Sequence, residues 1–170
     1  IPGKVVVIGG GNVAIDVARS AVRVNDGGSV SMYCLESRQE MPALEEEITE
    51  AEEENIFIGN GWGPVRVVTE NGKVIGVTFK KCVSVFDAAG RFSPIYDESE
   101  TMTVPADYVL LSVGQSIEWG ELLTGSTAQL NPNRTVKADS TTLQTGQPDI
   151  FAGGDAYTGP KFAIDAIAQG

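Results

Sequence analysis

The sequence predicts an α/β fold, a buried parallel sheet joined to an antiparallel meander, and three observations predict it. Two apolar runs without alternation, Lys4 to Ile8 and Tyr108 to Val113, have the pattern of parallel strands covered on both faces. Directly after the first run, three glycines lead into apolar residues at helical spacing. Between the two runs the pattern changes to hairpins around Asn71-Gly72, a pair suited to the positive φ of a tight turn.

Taken in order, the strand Lys4 to Ile8 ends at Gly9-Gly10-Gly11. From Asn12 a helix is predicted by Val13, Ala14, Val17, Ala18, Ala21 and Val22, and it stops at Asn25-Asp26-Gly27-Gly28. A second strand, Ser29 to Leu35, completes a β-turn-α-β unit whose crossover is right-handed. Pro42 to Asn55 keeps Leu44, Ile48 and Ala51 on one face and predicts a helix, since Pro42 is tolerated in a first turn. Its glutamates lack the aspartate-and-glycine loop of a cation site and read as a solvated face.

A short strand follows at Asn55 to Ile58. Val65 to Thr69 and Lys73 to Phe79 then form a hairpin, Lys80 to Phe86 extends it, Asp87 to Glu100 reads as a polar loop, and Thr101 to Val104 returns. Tyr108 to Val113 is the last buried strand and ends at Gly114-Gln115. Beyond Ser116 the chain is rich in Gly, Asn, Ser and Thr, which places a domain boundary near residue 118 and gives units 1–118 and 119–170. The closing residues predict a helix starting at Gly159-Pro160.

The chain has 170 residues and a net charge of −11, a balance that repels nucleic acid and anionic membrane surfaces. No stretch approaches the roughly 18 apolar residues of a membrane span. The opening Ile1-Pro2-Gly3 runs straight into a strand with no signal segment, so the expectation is a cytoplasmic piece of a larger protein. Cys34 and Cys82 form no CxxC and read as buried thiols in a reducing compartment. With no histidine, Ser-His and Cys-His nucleophile pairs and histidine-ligated zinc are excluded within this sequence, so the chemistry falls to a cofactor.

Gly9-Gly10-Gly11-Asn12-Val13-Ala14 fits G-x-G-x-x-A between a buried strand and a helix, the setting of a Rossmann-like dinucleotide loop. Gly9 permits the tight turn, Gly11 lets the backbone approach a pyrophosphate, and Ala14 lets helix and strand pack closely. Free N–H groups of the first helical turn attract the phosphates. Glu36, just past the second strand, is placed to hydrogen-bond the adenosine ribose and to repel a 2′-phosphate. It favours NAD(H) over NADP(H), while Arg38, two residues on, is placed to fold back to a 2′-phosphate.

Glu40-Met41-Pro42-Ala43 and Phe151-Ala152-Gly153-Gly154-Asp155, together with the glycine loop, resemble the small subunit of glutamate synthase and its relatives, among them the reductase half of dihydropyrimidine dehydrogenase. The likeness covers essentially the whole chain. It implies a three-layer nicotinamide domain inserted in an FAD domain, with electrons passing from NAD(P)H to FAD and no redox cysteine pair. It further implies Asn12 and Val13 at the pyrophosphate, Gly114 and Gln115 near the nicotinamide nucleotide, and Gly154 and Asp155 at FAD. The helix near Pro160 is implied to point at the flavin.

Two departures matter. Relatives using NADPH commonly carry paired arginines where Leu35 and Glu36 stand, which agrees with NAD(H). Only one dinucleotide fingerprint is present, so the FAD would be completed by the missing half of the parent, with an iron-sulfur or glutamate-synthase-type protein as a further partner. Two alternatives stay open: a flavin domain using the same glycine loop for FAD, and a non-catalytic NAD(H)-sensing module.

Overall fold

A computed structural model describes residues 2–170, which divide into two compact units, 2–114 and Gln115–Gly170. The first unit carries β1 (Lys4–Ile8), α1 (Asn12–Val24), β2 (Ser29–Cys34), α2 (Glu45–Glu53), β3 (Phe57–Asn60), β4 (Trp62–Glu70), β5 (Lys73–Phe86), β6 (Phe92–Pro105) and β7 (Tyr108–Leu111). Its parallel sheet has the order β3-β2-β1-β7, and β4-β5-β6 form a separate antiparallel sheet.

The missing alternation in β1 has a direct cause. Val5 and Val7 face one core with Ala14, Ile15 and Ala18 of α1 and Ile48 of α2. Val6 and Ile8 face another with Tyr33, Val77, Phe79 and Ala106. Helices cover one side of the parallel sheet and the meander covers the other, so every β1 position after Lys4 is apolar. This is the three-layer Rossmann-like arrangement that the sequence predicts. At the meander interface the Tyr33 and Phe79 rings stack with centroids 4.6 Å apart.

Several boundaries differ from the sequence reading. The helix expected from Pro42 begins at Glu45, because the chain bends at Pro42 and Ala43 with Met41 and Ala43 buried in the core, and Leu44 is extended. Its amides are used outside any helix: Ala43 N–H donates to Gly10 O at 3.3 Å and Leu44 N–H to Asn12 Oδ1 at 2.8 Å. Asn55, with φ +60°, ends the turn after α2 and delays β3 to Phe57. The expected polar loop 87–100 is mostly strand, since β6 starts at Phe92 and pairs with β5 as far back as Phe86. The actual turn is closed by the Asp87 carboxylate, which accepts from the N–H groups of Ala89 and Arg91.

The second unit is held by isolated bridges, Leu130↔Val136, Ala138↔Thr145 and Gln144↔Phe151, around buried Thr135, Val136, Thr145 and Ala152. Trp119 Nε1 donates to Arg134 O at 2.8 Å, and Arg134 pairs with Glu118. Two short helices close it, α3 (Asp155–Thr158) and α4 (Ala163–Ile167). The helix expected at Pro160 starts three residues later, where Asp165 accepts the Phe162 N–H; Gly159 at φ +80° breaks the path from α3. Among the described residues no helix is long and apolar enough to cross a membrane.

Candidate dinucleotide site

The glycines between β1 and α1 meet three different surroundings. Gly9 has φ +146° and a β-carbon there would collide with the Ser112 carbonyl, so the chain just past β7 packs on the turn itself. At Gly10 a β-carbon would lie 2.8 Å from Glu36 Oε2 and 3.0 Å from Cys34 Cβ. At Gly11 it would meet only Pro42 Cγ, at 3.9 Å. The space over Gly11 is therefore open, which suits a group that approaches the backbone closely.

Gly11 is also the residue preceding α1, and no side chain caps that end. The N–H groups of Ala14 and Ile15 both turn to Gly11 O, so those of Asn12 and Val13 are left at the helix end. The first turn has no acidic residue to oppose an anion. The Asn12 side chain accepts the Leu44 N–H through Oδ1, which ties the start of α1 to the segment before α2.

Glu36 follows β2 and is fixed by its carbonyl, which accepts from Gly61 N–H at 3.1 Å and Asn60 Nδ2 at 3.2 Å. That anchoring turns the half-buried carboxylate toward Gly10, beside the glycine loop. Beneath it, burial foremost pushes the Cys34 thiol up to about 12, so it is an inert packing group. Cys82 is buried as well, and both cysteines are free thiols as the sequence predicts.

Arg38 lines a cleft of about 510 Å³ together with Gln39, Met41, Ala43, Glu45 and Ile48. Its two terminal nitrogens each reach Glu45 at 2.8 Å and its Nε reaches Glu52 at 3.3 Å. The fold thus collects Gly9, Gly10, Gly11, Asn12, Val13, Glu36 and Arg38 at the C-terminal ends of β1 and β2. Gly114 follows β7, two residues past the Ser112 contact with Gly9, with no atom within 4 Å of a β-carbon built on it. Gln115, Gly154 and Asp155 belong to the second unit, where Gly154 N–H donates to Gln169 Oε1 at 2.6 Å and Asp155 accepts from Lys161 N–H at 3.3 Å.

Asn60 and the wall from Met41 to Leu44 were not singled out as site residues by the sequence reading. Asn60 ends a strand whose own pattern is unremarkable, and its partner Glu36 is 24 residues away. The wall carried a signal, the buried spacing of Met41 and Ala43 after Glu40, which a helical reading absorbs.

A family model described as pyridine nucleotide-disulphide oxidoreductase matches residues 1–170. The chain belongs to this family. Among curated relatives, the NADP(+)-dependent formate dehydrogenase subunit beta of Moorella thermoacetica is 35% identical over all of this chain and 24% of its own length. The glutamate synthase [NADPH] small chain of Escherichia coli (strain K12) is 33% identical, over 98% of this chain and 36% of its own. The NAD-dependent dihydropyrimidine dehydrogenase subunit PreT of the same strain is 35% identical, over 100% and 35%. These relatives bear out the likeness read from the three motifs, and the chain spans only about a quarter to a third of their length. A crystal structure of thioredoxin reductase from T. acidophilum superposes with a TM-score of 0.78 at 23% identity, over 98% of this chain and 48% of that one, and shares the fold.

Proposed function

We propose that the chain is the nicotinamide-dinucleotide-binding part of an NADH-dependent flavoprotein oxidoreductase, with residues 1–118 forming the nicotinamide domain and 119–170 contributing to the FAD domain of a cytoplasmic parent. The observation that carries this reading is the open approach over Gly11 beside the uncapped start of α1, with the Glu36 carboxylate next to the same loop. An adenosine diphosphate lies along that loop with its pyrophosphate on the amides of Asn12 and Val13 and its ribose hydroxyls on Glu36. Gly114 and Gln115 adjoin the nicotinamide end, and Gly154 and Asp155 serve the flavin. The hydride chemistry is supplied by the two cofactors when bound, and this chain's residues bind and orient. The parent's remaining FAD-domain half is the first partner, and an iron-sulfur or glutamate-synthase-type protein takes the electrons onward.

Coenzyme choice rests on Glu36. A ribose-to-carboxylate pair contributes charge-assisted hydrogen bonds of about 1.5 to 3 kcal/mol, while a 2′-phosphate at the same place meets like charge. Calorimetric titration should show tighter binding of NADH than of NADPH, and Glu36→Arg should shift preference toward NADPH. Tighter binding of NADPH by the wild type would remove the carboxylate argument.

A further inference from the structure

Arg38 is the cation nearest in sequence to the proposed ribose-facing carboxylate, yet each of its three guanidinium nitrogens already donates to a glutamate. Glu45 takes both terminal nitrogens at 2.8 Å, the paired geometry in which an arginine fork fits a carboxylate, and Glu52 takes Nε at 3.3 Å. The two glutamates lie on one face of α2, seven residues apart, where two turns of helix bring them to the same side. The other glutamates of that neighbourhood have a different duty: Glu47, Glu50 and Glu54 hold Arg19 of α1, so the packing of α2 on α1 does not depend on Glu45 or Glu52. The Arg38 side chain is only 29% exposed, and Arg38 and Glu45 both line the cleft of about 510 Å³.

We propose that Glu45 and Glu52 are coenzyme-specificity residues, which hold the Arg38 guanidinium on α2 and so deny it to a 2′-phosphate on the adenosine ribose. The inference rests on the nicotinamide-site reading above. A phosphate presents to arginine the same paired acceptor geometry as a carboxylate, so the glutamates compete with it for one donor fork. They also add negative charge facing the place a 2′-phosphate would take. Discrimination against NADPH is therefore built twice, by Glu36 at the strand end and by the sequestration of Arg38 on the helix.

The test uses the 170-residue chain with NADH and NADPH as probes in calorimetric titrations. Glu45→Gln/Glu52→Gln should bind NADPH about tenfold more tightly than wild type, with NADH changed by less than about twofold. Adding Arg38→Ala should erase the gain. A matched control, Glu46→Gln/Glu53→Gln, removes the same charge from α2 without touching Arg38 and should give no selective gain. Unchanged NADPH affinity in the Glu45/Glu52 variant, an equal gain for both coenzymes, or the same selective gain in the control overturns the proposal while leaving the nicotinamide site standing. A wild-type chain that is folded by circular dichroism and binds neither nucleotide overturns the site reading itself, and this inference with it.

Discussion

At Gly11 a β-carbon would stand 3.9 Å from Pro42 Cγ with nothing closer, whereas at Gly10 the same atom would press on the Glu36 carboxylate and on Cys34. These adjacent glycines are therefore separable by mutation. Gly11→Val should fold, losing about 1 kcal/mol or less because Gly11 sits at an extended position before the helix, and should abolish NADH binding. Gly10→Val should lose about 1 to 3 kcal/mol through overpacking. Thermal melts and titrations on the two proteins check both halves, and unaltered NADH affinity in a folded Gly11→Val chain would remove the loop from the site. Cys34 supplies a pH dependence at the same scale. Burial raises its thiol from the ordinary 9.0 to about 12, so above pH 9 the unfolded chain binds fewer protons than the folded one. Its contribution to stability is whole below pH 9 and is lost as the pH rises toward 12. Cys34→Ala should flatten that alkaline loss in urea melts, and the folded wild type should react slowly with a thiol reagent at pH 8.

At the scale of elements, the glycine loop is clipped to the segment before α2 by two hydrogen bonds, Ala43 N–H to Gly10 O and Leu44 N–H to Asn12 Oδ1. The second is made by a side chain and can be removed alone. Asn12→Ala should cost about 0.5 to 1.5 kcal/mol and speed hydrogen exchange at the Leu44 amide, with α1 intact by circular dichroism. Protection at Leu44 that is unchanged would show that the wall stands without the clip. This clip also marks where the sequence was legible and where it was not. β1, α1, β2 and the glycine loop were legible because each has a local cause: burial on two faces, helical spacing, and glycines at the turn. The start of α2 was not, because Pro42 is compatible with a helical first turn and only tertiary bonds decide against it. The first part of β6, Phe92 to Glu100, is mostly exposed and polar and is set by pairing with β5, whereas Met102 and Val104 pack on the core and gave the readable part. In the site, the position of Glu36 follows from strand length, but the engagement of Arg38 depends on partners seven and fourteen residues away on a helix whose start was misplaced.

For the molecule as a whole, the question is how many dinucleotides it holds. A dinucleotide needs a strand, a glycine turn and a helix of sufficient length to present amides and dipole to the pyrophosphate. The first unit supplies one such set, with a 13-residue helix behind the turn. The second unit offers isolated bridges and helices of four and five residues, and its Gly154 amide is already taken by Gln169. Under the proposed reading, Asp155 serves FAD only as part of a larger cradle. The 170-residue chain should purify colourless, bind one NADH per molecule in calorimetry, and show no flavin fluorescence after denaturation. A stoichiometric yellow chromophore released on denaturation would reassign the glycine loop to FAD itself, because Gly11 combines open space above it with the uncapped start of a 13-residue helix.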